Sequence, residues 1–408
     1  MQEQPVSLSA YLRLVRGNRN FRLLWSAQIV SEIGDWLYSI AIYSLLFELT
    51  GSARAVATAL VLQVLPQFFV GPMAGVVNDR MSRRRVMILA DLARSGVVLG
   101  MVLVRSVEMV WLLYALLFLE TVMWAFFEPG RSAIIPNITR DETETLTANT
   151  LSSTTWSFNL AFGATLGGFV AVWFGRDTVF VLNAVSFLIS AATLARMRIE
   201  EPHAAGGKPL RAKDLADFSP ILEGVRYVRR DPRLLATLLV KAGLGFMGTH
   251  WVILPVFGER VFPVSPDTLG PRRAGMLGMS LLMGSRGVGA LIGPLIGAFW
   301  AGQRQPRMRL GILFGFLSIA AGYVALAVAP TMGWAATTVI LAHAGGSLIW
   351  VFSTTLLQYQ TEDRFRGRVF SADFGFLVIT MSLVTYISGI AIDLGLSVRT
   401  LSMFVGLT

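Results

Sequence analysis

Residues 71–85 read GPMAGVVNDRMSRRR. An apolar segment, Val56 to Val77, runs into this stretch, and a second, Val86 to Val104, leaves it. Between them sit one carboxylate, Asp79, and four arginines: Arg80, Arg83, Arg84 and Arg85. Arginines massed beside apolar spans mark the cytoplasmic side of a membrane. Gly71, Pro72 and Gly75 would let a neighbouring helix approach closely. Asp79 would face a helix N-terminus, where the dipole favours an anion. A plain stop-transfer loop is the bland alternative.

The rest of the chain suits a membrane. Of its 408 residues, 54% are hydrophobic and only 15% charged, with mean hydropathy +0.61. A soluble chain would carry roughly 25% charge. Apolar runs of span length recur throughout, so the expected class is an all-α polytopic membrane protein embedded in the lipid bilayer. The net charge of +10 is no sign of a nucleic-acid partner, because the arginines cluster in alternate loops, where they set topology. The chain has no cysteine, which excludes disulfides and thiolate metal or redox sites. Its three histidines are scattered, so no metal site is expected. The first apolar segment is long, contains Glu32 and Asp35 and ends without a small-x-small site, so it is not a cleavable signal.

Taken in order, span 1 covers about Phe21 to Leu49, span 2 about 55–77 and span 3 about 86–104. Span 4 is about 109–127, span 5 about 152–174 and span 6 about 178–196. A polar stretch follows, rich in Lys, Arg, Gly and Pro, with a short surface helix near Ile221 to Arg230. Spans 7 to 11 lie near 234–257, 275–300, 309–328, 333–357 and 370–392. The expected division is an N-terminal bundle (1–196), a cytoplasmic linker (197–233) and a C-terminal bundle (234–408). Leu401 to Thr408 is too short to cross about 30 Å of hydrocarbon, so a twelfth span is truncated or missing.

Loop charge sets the expected orientation. With the N-terminus inside, 25 of the 35 Lys and Arg fall in inner loops and 7 in outer ones. Arg94, Lys241 and Arg286 fall within spans. The N-terminus and linker therefore belong in the cytoplasm. The halves also repeat. Gly71-Pro72-x-x-Gly75-x-x-x-Asp79 returns as Gly293-Pro294-x-x-Gly297-x-x-x-Ala301, so the second copy lacks the acid. Arg19-Asn20-Phe21-Arg22-Leu23-Leu24 matches Arg230-Asp231-Pro232-Arg233-Leu234-Leu235. Parallel halves joined by a basic linker suit a transporter.

Charges inside spans are expensive and invite a function. Gln28, Glu32, Asp35 and Ser39 fall on one helical stripe, which should face a cavity. A carboxylic acid out of water holds its proton more firmly, so Glu32 and Asp35 are expected to carry protons. The alternative is that Asp35 pairs with a basic group for structure alone. On span 4, Glu120, Trp124, Phe127 and Glu128 keep helical spacing. An acid beside aromatics would suit a cationic organic substrate, although packing explains the aromatics as well. Glu128-Pro129-Gly130-Arg131 reads as a structural corner leaving the membrane. On span 5, Gly163-Ala164-x-x-Gly167-Gly168 would let two helices touch and slide, with Trp156 and Asn159 lining the same cavity. Lys241, His250 and Arg286 are expected to face Glu32 or Asp35 across the halves as a switch, with snorkelling to the interface the alternative for Lys241. His343 reads as a packed or hydrogen-bonded histidine. Asp91 and Arg94 read as a self-contained pair. The loop 363–368 could meet the Asp79 loop across the cytoplasmic face. No Walker A, Gly-x-Ser-x-Gly or His-Glu-x-x-His sequence occurs, so neither ATP, another cofactor nor an enzyme activity is implied.

The stretch Gly75-x-x-x-Asp79-Arg80-x-x-x-Arg84-Arg85 resembles the loop between the second and third helices of the major facilitator superfamily, with Ser82 in place of the usual glycine. Gly163 to Gly168 resembles the helix-5 signature of its antiporters, with Ala164 in the proline position. Asn20 to Trp25, Gly34-Asp35, Leu49 to Ser52, Pro129-Gly130-Arg131, Ala148-Asn149 and Arg366 to Phe370 resemble the branch of macrolide and siderophore (enterobactin-type) exporters. The resemblance implies two six-helix halves and a proton-driven exporter of small organic molecules in a bacterial inner membrane. It implies a cytoplasmic gate of Gly75, Asp79, Arg80, Arg84 and Arg85, and packing glycines Gly163, Gly167, Gly168, Gly293 and Gly297. The expected protein is a monomer whose partners are substrate and protons. A lysophospholipid flippase or facilitator, and a non-transporting membrane sensor or scaffold, are the alternatives.

Overall fold

Short side chains start several of the helices. Asn18, Ser52, Ser82, Asp141, Thr331 and Ser397 each accept a hydrogen bond from a backbone N–H three residues on, which satisfies a donor the first turn leaves free. Gly51 ends the first long helix in the left-handed region at φ 65°, where a side chain would be strained. The computed structural model describes residues 8–201, 219–302, 304–362 and 365–408.

The first half holds α1 (Leu8–Gly17), α2 (Arg19–Thr50), α3 (Ala53–Arg80), α4 (Arg83–Met101), α5 (Val110–Ile138), α6 (Glu142–Phe174) and α7 (Arg176–Ala195). A surface helix, α8 (Ser219–Arg230), leads to α9 (Pro232–Phe246) and α10 (His250–Val256). Then come α11 (Pro266–Leu269), α12 (Pro271–Ala301), α13 (Gln305–Ala327), α14 (Met332–Gln360), α15 (Arg366–Asp393) and α16 (Val398–Leu407). Ten segments among the described residues are long and apolar enough to cross a membrane. The stretch expected as span 3 is not one of them. Its helix, α4, carries Arg83, Arg84, Arg85, Asp91 and Arg94 within 19 residues, yet it packs between α5 and α7 like a span.

Two expectations change. The corner at Glu128 is helix: α5 runs through Pro129 and Pro136 to Ile138. A helix tolerates such prolines where neighbours re-satisfy the freed groups. Here Asn78 donates to the Phe126 carbonyl (2.9 Å) and Arg83 to that of Ala133 (2.8 Å), each next to the i−4 carbonyl that its proline leaves without an N–H, Ala125 and Ser132. Span 7 is not continuous. A 3-10 turn at Met247–Thr249 and a π turn at Phe257–Val261 flank α10, and Thr385 donates to the Gly248 carbonyl at 2.9 Å. The loop 363–368 is only partly visible, since Asp363 and Arg364 lie outside the described residues, as does 202–218 of the expected linker. At the chain's end, the ten-residue α16 lies along α13, with Ser402 donating to the Tyr323 carbonyl.

α2 packs on α6 and α7, and α3 on α5. α12 and α13 pack on α14, and α9 on α14 and α15. The halves meet where α6 lies on α12 and α3 on α15. A methyl at Gly163 or Gly167 would overlap Trp36 or Leu37 of α2, and one at Gly168 or Gly287 would overlap Ser280 or Ala161. Gly293 and Gly297 are equally crowded against Ala344 and Leu348 of α14. These small residues let backbones touch.

Candidate functional site

One guanidinium collects three carboxylates in the first half. Arg94, on α4, is fully buried, with Nη2 2.7 Å from Asp35 Oδ2 and 2.7 Å from Glu120 Oε1. Its Nε donates to the same Glu120 oxygen at 2.8 Å. Asp91 Oδ1 lies 3.5 Å from Nη1, one helical turn back. The Phe187 ring covers the guanidinium at 4.0 Å. Asp91 and Arg94 are thus not self-contained, and Glu120 is turned into this cluster, not toward an open cavity beside Trp124. Trp124, one turn further along α5, is half-buried.

The polar stripe of α2 is split between two clusters. Asp35 serves Arg94, while Glu32, three residues earlier, faces α6. Glu32 accepts from Gln28 (2.9 Å) and from Asn159 (2.9 Å). Gln28 also donates to the Ser152 carbonyl at 3.0 Å and accepts from Arg131 at 3.3 Å. Arg131 is held by Glu128 through two bonds, at 2.9 and 2.5 Å. Ser39 bonds only locally, to the Asp35 carbonyl at 2.8 Å. Gln28, Ser39 and Asn159 are buried, so they do not line an open wall.

The cations of the second half do not reach Glu32 or Asp35. Lys241 Nζ is buried 2.7 Å from Asp373 Oδ2 of α15, with the Trp350 ring 4.3 Å away. His250 Nδ1 bonds the Met247 carbonyl at 2.5 Å. Arg286 has no carboxylate at all among the described residues; its guanidinium lies 4.0 Å over Trp251 and 5.8 Å from Trp36. Trp36 stacks on Trp251 at 6.4 Å and meets Trp156 edge-on at 5.8 Å. His343 is both packed and bonded, with Tyr323 Oη at 3.2 Å and the His250 ring at 4.8 Å.

Contacts between the halves gather at the end opposite the arginine-rich loop. There Glu48 binds Arg272 of α12 at 2.6 Å as well as Arg176 at 2.5 Å. Asp393, ending α15, accepts from Ser52 Oγ (2.5 Å), Ala53 N (2.8 Å) and Arg54 N (3.1 Å). It caps α3 from the other half, an anion on a positive helix end. Arg260 donates to the Gly51 carbonyl at 2.7 Å. At the basic end, no atom lies within 4 Å of a methyl built at Gly71 or Gly75, so they permit no close approach there. Asp79 is 75% exposed, with Arg83 at 3.6 Å. The acid at the α4 N-terminus is instead Glu201, which takes Ser82 Oγ and the Arg84 N–H. Arg84 Nη1 also donates to the Met197 carbonyl at 2.5 Å, and Arg85 stays exposed. Asp373, Asp393 and Glu48 went unremarked in the sequence. Asp373 was open to the rule that flagged Asp35, an acid inside a span; Glu48 and Asp393 sit at span ends, where charge is cheap.

Residues 24–385 match the family model of the Major Facilitator Superfamily. Macrolide efflux protein A of Streptococcus pyogenes is 28% identical over 91% of this chain and 89% of its own length. Macrolide efflux protein A of Enterococcus faecalis is 28% identical over 82% of this chain and 99% of its own length. The MFS-type transporter YfiS of Bacillus subtilis is 28% identical over 55% of this chain, which spans only 53% of that relative. A crystal structure of a POT family transporter superposes with TM-score 0.74 over 95% of this chain and 93% of its own, at 12% identity, a likeness of fold.

Proposed function

The chain belongs to the Major Facilitator Superfamily, and from that premise we propose that it exports a small organic molecule in exchange for protons. The observation that carries this reading is the buried set of Asp35, Asp91 and Glu120 around Arg94. One guanidinium balances one carboxylate. Leaving two further charges uncompensated away from water costs several kcal/mol each, so protons complete the balance. Asp35, the member least enclosed, with its Oδ1 unbonded, is the proton carrier. Glu32, bonded to two amides, is its neighbour in the relay. Export, of a drug-, macrolide- or siderophore-type molecule, is supported by relatives named for macrolide efflux.

In this reading the chain sits in a bacterial inner membrane, with the basic end in the cytoplasm. It has bundles at 1–196 and 234–408 joined by a linker at 197–233, and works as a monomer. Its far end is shut by Glu48, Asp393 and the α6–α12 seam, while at the other Gly71 and Gly75 are uncrowded and Asp79 is exposed. It is therefore open toward the cytoplasm, and Asp79 with Arg80, backed by Arg84 and Arg85, latches that side in the opposite state.

The test is flux in proteoliposomes under an imposed pH gradient, with lipophilic dyes, macrolides and catecholate siderophores, and Asp35→Asn as the control. Gradient-driven flux that the substitution abolishes is expected. Flux indifferent to both would mean a facilitator or lysophospholipid flippase, and no flux of any compound a sensor or scaffold.

A further inference from the structure

Among the described residues, the cations buried within the bundle other than Arg286 have their anions. Arg94 has three carboxylates, Arg131 has Glu128 and Lys241 has Asp373. Arg286 has none. It is 9% exposed, and its Nη1 is buried without a hydrogen-bond partner. A buried cation left unpaired is strongly destabilising, so a fold that keeps one has a use for its charge.

The surroundings of Arg286 are built for a ligand and not for a salt bridge. Two mutually stacked indoles from opposite halves stand beside the guanidinium, Trp251 at 4.0 Å and Trp36 at 5.8 Å. Because His250 Nδ1 is committed to the Met247 carbonyl, Nε2 is left as a buried acceptor without a partner. Tyr43 and Tyr323 lie nearby, with their hydroxyls engaged by Gln63 and His343. The set sits at the α6–α12 seam, since Gly284 and Gly287 on either side of Arg286 abut Thr165 and Ala161. From there Trp36 leads to Trp156, which is 42% exposed. A cation, an acceptor and flat apolar faces together match an anion carried on an aromatic body.

We infer that Arg286, Trp36, Trp251 and His250 form a recognition subsite for the carboxylate or acidic hydroxyl of an aromatic organic acid. Arg286 neutralises the acid, the indoles stack on its ring, and His250 Nε2 accepts from a hydroxyl on the same molecule. The inference rests on the transport reading for its purpose, but its test needs no transport.

The probe is radiolabelled 2-naphthoate, with 2-naphthamide as its uncharged match, binding to the full chain in lipid nanodiscs, with empty discs subtracted. Wild-type protein is expected to bind naphthoate saturably and at least tenfold more tightly than naphthamide. Arg286→Gln is expected to weaken naphthoate at least tenfold and leave naphthamide unchanged, while Arg286→Lys keeps most of the preference. If Arg286→Gln does not elute as a folded species, the wild-type preference and Arg286→Lys decide. Absence of saturable naphthoate binding, equal affinity for both probes, or naphthoate binding that survives Arg286→Gln in folded protein overturns the subsite. Gradient-driven flux of neutral or cationic dyes without naphthoate binding would overturn it and leave the proton-exchange reading standing.

Discussion

Glu48 of α2 reaches Arg272 of α12 across the two halves at 2.6 Å, and the same carboxylate holds Arg176. Partly exposed pairs contribute about 0.2–1 kcal/mol. Glu48→Gln should therefore shift the balance of states about two- to fivefold toward an open far end. With no native cysteine to remove, spin labels at Val107→Cys and Leu394→Cys report this directly. An unchanged distance distribution would mean that the pair does not hold the seam.

The Arg94 cluster predicts an asymmetry between its members. Removing the cation strands the one carboxylate charge it balances, and breaking such a buried set costs about 3–5 kcal/mol. Arg94→Ala should melt well below wild type in detergent, whereas Asp35→Asn should melt near it and lose only gradient-driven flux. Partial recovery of the melting temperature by adding Asp91→Asn to Arg94→Ala would tie the loss to charge. If Arg94→Ala melted with wild type, the guanidinium would not be what holds the cluster.

Glycines at the two ends should act in opposite senses. A methyl at Gly287 overlaps the Ala161 backbone, so Gly287→Ala should wedge α6 from α12, lengthen the far-end distance and cut flux about tenfold or more. Gly75 has free space around it. Gly75→Ala should leave the far-end distance and the melting temperature as they are, and slow flux by obstructing closure of the basic end. Equal effects of both on the far-end distance would remove the two-state reading.

Lys241 and Asp373 are both buried, 2.7 Å apart. Each single alanine should cost about 3–5 kcal/mol, and the double variant much less than the sum, because neither charge is then left alone. A thermal-melt double-mutant cycle reads the coupling, and additive losses would mean the two act separately.

How far the sequence was legible depends on what each residue answers to. Most spans were plain because hydropathy is a local property. Even the chain's internal repeat could be read from Gly71 and Gly293. Partners were not legible, since three-dimensional pairing does not follow spacing. Gln28, Glu32, Asp35 and Ser39 share a stripe, yet α4 and α6 divide it. Asp79 was expected at a helix N-terminus, but Glu201, more than a hundred residues on, occupies that place. Pro129 reads as a helix end in isolation, and only the packing of Asn78 beside it reveals that the helix continues.

The indoles of Trp36 and Trp251, 6.4 Å apart and 6° from parallel, also give this molecule an optical signature. Transition dipoles at that spacing couple as an exciton, and the coupling changes steeply with separation and tilt. Because one ring rides on α2 and the other on α10, the near-ultraviolet circular dichroism of the unlabelled protein should carry a signed couplet in this conformation. Its decay on adding a ligand or a gradient would time the parting of the halves without a probe.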